Sequence, residues 1–306
     1  MVTTSGTARG VSSFADRAGF YAALTARNRG LIGDAEQWRL RTSRVLVAGC
    51  GSIGGAAVEP LVRLGAENLV LAEPDVYELH NLNRQNATLD DVGKNKALAL
   101  AARCRAINPN ATVEVQPAGV TSATVTELLD DTALAIDGVD VTTASALACK
   151  YLLHVHAHQR QVPVVSGYDI AGVQMVLVYD YRNPRVDVMA GRVGSGAPAI
   201  LDEPLRFLAR VTPLPVLPEE IVPLLRRQLL QRDEGFPQLV YTALLFGVLA
   251  PRIALDLLAG RPVRHRIVVD VHQLPRPIRP RWSARARAAI AVARLARTAR
   301  LHRRAP

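Results

Sequence analysis

Val45-Leu-Val-Ala-Gly49-Cys-Gly51-Ser-Ile-Gly54-Gly55 is the stretch from which the architecture can be read. Four consecutive apolar residues closed by a glycine have the pattern of a parallel strand buried on both faces, where no polar side is needed. The G-x-G-x-x-G that follows stands where a strand would turn into a helix. Its glycines permit a tight turn and a close backbone approach. The N-terminus of the next helix, from about Gly54 to Leu64, offers N–H donors and a positive dipole end to a phosphate. A second apolar run, Asn68-Leu-Val-Leu-Ala72, ends on Glu73. An acid roughly twenty residues past the glycines can accept hydrogen bonds from ribose hydroxyls. Strand, helix, strand and terminal acid together describe a nucleotide-binding unit, with a nicotinamide or flavin oxidoreductase as the alternative at this point.

The alternation continues outward. Helix is expected over 95–106, strand over 111–115, a short helix over 125–129, strand over 134–136 ending on Asp137, helix over 145–159 and strand over 162–165. This pattern predicts an open, mostly parallel, doubly wound α/β sheet of Rossmann type. Val173 to Tyr179 reads as a strand that can run antiparallel to the rest, and Val268-Val-Asp-Val271 as a closing strand, so the C-terminal half is expected to carry antiparallel strands. The Pro- and Gly-rich residues 183–218 read as a long crossover. Helices are expected over 218–231 and 239–259, the second largely apolar and therefore buried or at an interface. Upstream, residues 14–41 suit short helices, with Asp34 as a possible N-cap. The expected organisation is a disordered stretch 1–12, one domain 13–275 and an Arg-rich tail 276–306.

Composition narrows the class. With 306 residues, 49% hydrophobic and 21% charged, the chain can bury a full core. The net charge of +10 belongs to the tail, where ten arginines lie between Arg276 and Arg304 without an acid among them. The rest is neutral. The tail is only weakly amphipathic and has Trp282 as its one aromatic residue, so nucleic acid is a possible partner without further support, and no membrane contact is expected. Three cysteines with no C-x-x-C pair exclude a disulfide scaffold and a four-thiolate zinc site, and point to a reducing, cytoplasmic setting.

Chemistry concentrates after Glu73, in Glu73-Pro-Asp75-Val-Tyr-Glu78-Leu-His-Asn81-Leu-Asn83-Arg84-Gln85 and then Gly93-Lys94-Asn95-Lys96. A dinucleotide oxidoreductase has no use for this set. A triphosphate site does: Arg84 offers a planar fork for phosphate oxygens, and Lys96 a compact charge for the phosphate that becomes more negative on attack. The chain has only three lysines, Lys94, Lys96 and Lys150, so two within three residues mark a place where an ammonium is required.

At these residues the sequence resembles the ThiF/MoeB/HesA adenylyltransferases, bacterial members of the ubiquitin-activating superfamily, over roughly 27–178. The resemblance implies that Gly49, Gly51 and Gly54 hold ATP, that Glu73 binds its ribose, and that Asp75, Asn81, Arg84 and Gln85 line the phosphates together with Lys96. Asp140 matches the magnesium-associated aspartate, making ATP and Mg²⁺ the implied cofactors with Asp140 as the metal residue. A family Arg-x-x-Arg that reaches into a partner subunit is matched only in part by Arg27-Asn28-Arg29, which is one residue shorter, with Arg29 as candidate, so a homodimer is implied. The implied chemistry is attack of a carboxylate on the α-phosphate of ATP. The carboxylate could belong to a ubiquitin-like carrier protein, a peptide or a small molecule. Arg84, Lys96, Asp140 and Arg29 are the candidate catalytic residues.

Departures accompany the resemblance. Family members usually carry Asn after the second aspartate and Arg four residues later, where this chain has Val141 and Ser145. No zinc is expected. No cysteine lies between 150 and 306, so a free adenylate without a covalent cysteine is expected rather than a thioester. A tRNA-modifying dehydratase of the same superfamily and a noncatalytic nucleotide-binding scaffold are the alternatives. His154, His156 and His158 are read as surface or interface residues in preference to metal ligands.

Overall fold

A computed structural model describes residues 16–194, 200–213, 217–218, 221, 237–277 and isolated positions between 283 and 294. Seven strands form one sheet: β1 Arg44–Ala48, β2 Asn68–Ala72, β3 Thr112–Gln116, β4 Thr132–Asp137, β5 Val164–Ile170, β6 Val173–Tyr179 and β7 Arg266–Asp270. Their order is β3-β2-β1-β4-β5-β6-β7. The first five are parallel, and β6 pairs antiparallel with both β5 and β7. The expected architecture is therefore the observed one. The direction of winding reverses between β1 and β4, which is where an open α/β sheet leaves a crevice at the carboxyl ends of its strands.

Eight helices flank the sheet among the described residues: α1 Arg17–Leu24, α2 Asp34–Thr42, α3 Gly54–Leu64, α4 Lys96–Ile107, α5 Val125–Leu128, α6 Ala144–Gln159, α7 Pro204–Val211 and α8 Val240–Leu258. Two apolar layers form the core. Val45, Val47, Leu69, Leu71, Leu134 and Ile136 face α3, α4 and α8, while alternate residues of the same strands pack against α5, α6 and α7. Burial on both faces accounts for the continuous apolar runs in β1 and β4. Helix α8 is long and apolar enough by composition to cross a membrane, with a mean hydropathy of 1.6, and 56% of that stretch is buried inside the protein, where it packs on α3.

Three expectations need correction. Strand β5 continues past Val165 to Ile170, because a two-residue turn of Ala171 and Gly172, both at positive φ (47° and 93°), pairs it along its length with β6. The reach from 183 to 218 is not a bare crossover: it contains a tight turn at Val188–Gly191, with Met189, Ala190 and Gly191 at positive φ, and the helix α7, whose apolar face (Phe207, Val211) is buried against the sheet. Asp34 lies in the first turn of α2, with Gly33 as the N-cap. The expected disordered stretch 1–12 lies outside the described residues, as do the helix over 218–231 and the tail for all but isolated positions.

Candidate functional site

Two glycine turns meet at the β1/β4 switch point. Gly49 N–H donates to Ala72 O at 2.9 Å and Gly138 N–H to Ala48 O at 2.8 Å, so each turn is tied to the end of a neighbouring strand. A Cβ on Gly54 would lie 1.9 Å from Gly49 O, and one on Gly138 2.4 Å from Gly54 N. No side chain fits between them. Gly54 thus serves helix-to-strand packing, while Gly49 and Gly51 line the cavity that opens above.

That cavity has a volume of about 1210 Å³. Gly49, Gly51, Glu73, Asp75, Asn81, Arg84, Gln85, Lys96 and Asp140 all border it, which brings together every sequence-derived site residue except Gly54 and Arg29. Glu73 is buried, and its carboxylate accepts from the N–H of Cys50 (2.6 Å) and of Asp75 (3.0 Å), bracing the glycine loop against the strand that follows. Burial raises its pKa, with these bonds and Lys96 opposing. Asn95 caps α4 through Leu98 N–H (3.1 Å) and donates to Glu73 O (2.8 Å), which sets Lys96 at the first position of the helix. The Lys96 stem is buried, and its ammonium lies 3.3 Å from Asp75 Oδ2. Asn81 is buried and closes its own turn by accepting from Glu78 N–H at 3.0 Å.

Arg84 is held by His80 O (3.0 Å), Asn83 Oδ1 (2.8 Å) and the amide oxygen of Gln238. Ser52 Oγ donates to that same amide oxygen at 3.3 Å. One neutral oxygen therefore collects two donors that face the cavity, the geometry a phosphate oxygen would satisfy with more charge. Burial lowers the Arg84 pKa, and the nearby carboxylates of Asp169 and Asp140 oppose this. Asp140 is exposed on the rim, accepting from Val141 N–H (2.8 Å) and from the Thr142 hydroxyl. No group of three His, Cys, Asp or Glu among the described residues could hold a metal ion. A cation at Asp140 would take its remaining ligands from phosphate and water, as Mg²⁺ commonly does.

Arg29 is elsewhere. It is exposed, donates to Ala22 O at 3.2 Å, and borders a separate depression of about 190 Å³ beside Tyr21 and Trp38.

Sequence reasoning missed a buried network beneath the site. Asp137, at the last position of β4, accepts on Oδ2 from Lys150 Nζ (2.6 Å), Ser166 Oγ (2.6 Å) and His154 Nε2 (3.0 Å), and on Oδ1 from Val139 N–H (3.2 Å). Burial works against its charge, but the Lys150 ammonium and His154 outweigh it and hold the carboxyl well below the usual range. Burial pushes the His154 pKa down despite Asp137. A neutral ring that donates from Nε2 to a carboxylate must accept at Nδ1, here from Tyr181 Oη at 2.7 Å. His154 is therefore a core residue, contrary to the surface or interface expectation, because its face of α6 meets the charged end of β4. His156 and His158 are half-buried. The signal available was the third lysine in an arginine-rich chain, Lys150, one helical turn before His154. Asp169 was missed too. It follows Gly167 on β5, borders the cavity, and accepts from Thr242 Oγ1 at 2.7 Å, while its Oδ1 is buried with no hydrogen-bond partner among the described residues. Burial raises its pKa to about 6, opposed by hydrogen bonds from the Thr242 hydroxyl and the Leu239 backbone N–H and by the charge of Arg84.

Residues 25–189 match the model of the ThiF family, more than half of the chain. The chain belongs to the ThiF family. The SAMP-activating enzyme E1 of Haloferax volcanii is 35% identical over 152 residues, covering 49% of this chain and 54% of that protein. The sulfur carrier protein adenylyltransferase of Thermus thermophilus is 36% identical over 137 residues, covering 44% and 49%. This ThiF-family chain thus spans about half the length of the curated relatives it matches. Among solved structures, the E. coli tRNA N6-threonylcarbamoyladenosine dehydratase in complex with ATP superposes with a TM-score of 0.55 at 20% identity, covering 80% of this chain and 96% of that one. It shares the fold.

Proposed function

We propose that this chain is an ATP-dependent adenylyltransferase that activates a carboxylate as an acyl-adenylate. One observation carries the reading: Arg84, Lys96 and Asp140 converge with the Gly49–Gly51 turn on a single cavity at the switch point of the sheet. The names of the relatives agree with it. In this reading Glu73 meets the ribose, the turn and Ser52 face the phosphates, and Arg84 exchanges Gln238 for a phosphate oxygen. A carboxylate oxygen of the substrate attacks the α-phosphorus, and pyrophosphate leaves with the electron pair of the broken P–O bond. Arg84 and Lys96 neutralise the charge that builds on the phosphates, and orientation supplies much of the rate. Mg²⁺, held by Asp140, would add Lewis-acid charge stabilisation when bound.

No side-chain nucleophile is needed for this step. Cys50 and Cys104 are buried, burial pushes both thiols up, Cys104 to about 12, and Cys149 is a half-buried residue of the cavity wall. The exposed apolar side chains of Leu31, Trp38, Leu244 and Val248 support a homodimer, which would give Arg29 a cavity to serve in a partner subunit. The test is ATP–pyrophosphate exchange with Mg²⁺ against carboxylates, carrier proteins and bulk tRNA. Exchange that requires a carboxylate and is lost in Lys96→Ala and Asp140→Ala establishes the reaction. Silence despite ATP binding would leave a nucleotide-binding scaffold.

A further inference from the structure

The cavity is larger than a nucleotide needs: small-molecule pockets span about 300–1,000 Å³, and this one reaches about 1210 Å³. Its two ends differ in chemistry. The charged residues described above occupy the end over β1 and β2. The other end lies between the start of α6, the β5–β6 hairpin and α7, and is walled by Val141, Ile170, Leu205, Leu208 and Ile221. Ile170 and Ile221 belong to the apolar core on that face of the sheet, Val141 and Leu208 pack against it, and Leu205 is half-buried on α7. The polar residues bordering this end include Thr142, Ser145, Thr212 and the pair Arg206 and Glu203, 3.7 Å apart. At the junction between the ends stands Asp169, beside Arg84, with a buried oxygen that has no hydrogen-bond partner among the described residues. A buried acceptor left unpaired is costly, and an N–H donor placed there would relieve it.

Resting on the adenylation reading, we propose that the activated carboxylate is borne on an N-acyl amino acid with a bulky apolar side chain. The side chain enters the far compartment, the adjacent amide N–H donates to the Asp169 carboxylate after a rotation that turns Oδ1 toward the cavity, and the substrate carboxylate reaches the nucleotide end. Such a group can be the C-terminal residue of a peptide or a free N-acyl amino acid. A thin glycine terminus would leave the walls formed by Leu205, Leu208 and Ile170 against water and gain nothing from them. Val141 stands where the resemblance implies an asparagine, which makes this part of the wall apolar.

The experiment is ATP–pyrophosphate exchange with acetyl-Gly-Gly, acetyl-Gly-Leu, acetyl-Gly-Phe, acetyl-Gly-Glu and the free acetyl amino acids, alongside an ester analogue of the best substrate in which oxygen replaces the last N–H. Equilibrium ATP binding is measured in parallel. The expected result is a kcat/KM for Leu or Phe at least tenfold above Gly and Glu, within the range over which apolar pockets discriminate. The ester should lose about tenfold or more. Leu208→Glu should erase the preference with ATP affinity unchanged, and Leu208→Ala, milder at a half-buried position, should shift it toward the larger side chain. Peptides outperforming free acetyl amino acids would assign the source as a peptide terminus, and the reverse a small molecule, both within the proposal. Gly or Glu termini performing as well as Leu and Phe would overturn it while leaving adenylation standing. No exchange with any carboxylate despite ATP binding would remove the adenylation reading itself, and this inference with it.

Discussion

At the nucleotide end of the cavity the walls are largely backbone turns, packed so closely at Gly49, Gly54 and Gly138 that no Cβ fits, and Glu73 and Lys96 are placed by hydrogen bonds from nearby segments while Arg84 also meets Gln238. At the far end the walls are side chains contributed by α6, the β5–β6 hairpin and α7, elements separated by tens of residues that meet only through the core. The first region draws most of its residues from 49–96, joined by Gly138 and Asp140 after β4 and by Gln238 against Arg84. The second is nonlocal and free to vary with the group it receives. An adenylating enzyme gains from this division, since the nucleotide is constant and the carboxylate is what distinguishes one activity from another.

The comparison assigns rigidity to the charged end, and the largest expected effect tests that. Lys150→Met removes one partner of a fully buried ion pair and leaves Asp137 short of its strongest donor. Such losses cost about 3–5 kcal/mol, so thermal unfolding should fall by about 5–8 °C, with Lys150→Arg failing to restore it because a planar fork cannot replace a point charge there. A shift of a degree or two would show that the turn at Gly138 stands without the network. Next in size, Lys96→Ala should lower pyrophosphate exchange by about 10²–10³-fold at unchanged unfolding temperature, the loss expected when one fixed group facing developing charge is removed. A variant within threefold of the parent would break the division between the two ends.

Asp169 sits on the boundary and sharpens the comparison through pH. Its pKa in the fold, about 6, is above the ordinary carboxylate value of 3.8, so the folded state binds the proton more tightly than the unfolded chain. Stability from this group is fully present below the unfolded value and declines as pH rises through about 6, with no further change above about 7. Asp169→Asn does not titrate. Chemical denaturation from pH 4 to 8 should therefore show the variant gaining on the parent as pH rises, by on the order of 2–3 kcal/mol, and a difference independent of pH would remove the carboxylate from its desolvated position. The smallest expected effect is none: intact-mass measurement of the protein denatured after turnover should show no thiol-sensitive adduct, and an acyl or persulfide mass on Cys149 would convert the far wall from a binding surface into a reacting one.

The family and the nucleotide end were legible because their signals are short-range. A strand that must be apolar, a turn that must be glycine and a lysine in a chain of arginines each carry their meaning within about fifty residues, from Val45 to Lys96. The long-range partners were not. His154 shares a helix with two other histidines and has the spacing of a metal pair, and only the register of α6 on β4 shows that its ring meets Asp137 and Tyr181 instead. Asp169 lies near the end of strand β5 with nothing in the sequence to mark it, and acquires its role when α8 brings Thr242 to one side and the Arg84 loop approaches the other. Arg29 matched a motif, yet within one chain it faces away from the cavity.

Residue order by itself determined the doubly wound sheet, the phosphate-facing turn and the charged groups gathered above it, because each depends on hydrogen bonds and sterics between neighbours in sequence. Tertiary structure alone decided which carboxylates are buried, which histidine is core, and that the cavity continues from its charged end to a second end walled largely by apolar side chains. Desolvation and enclosure belong to surfaces that come together from distant parts of the chain, and no local pattern records them.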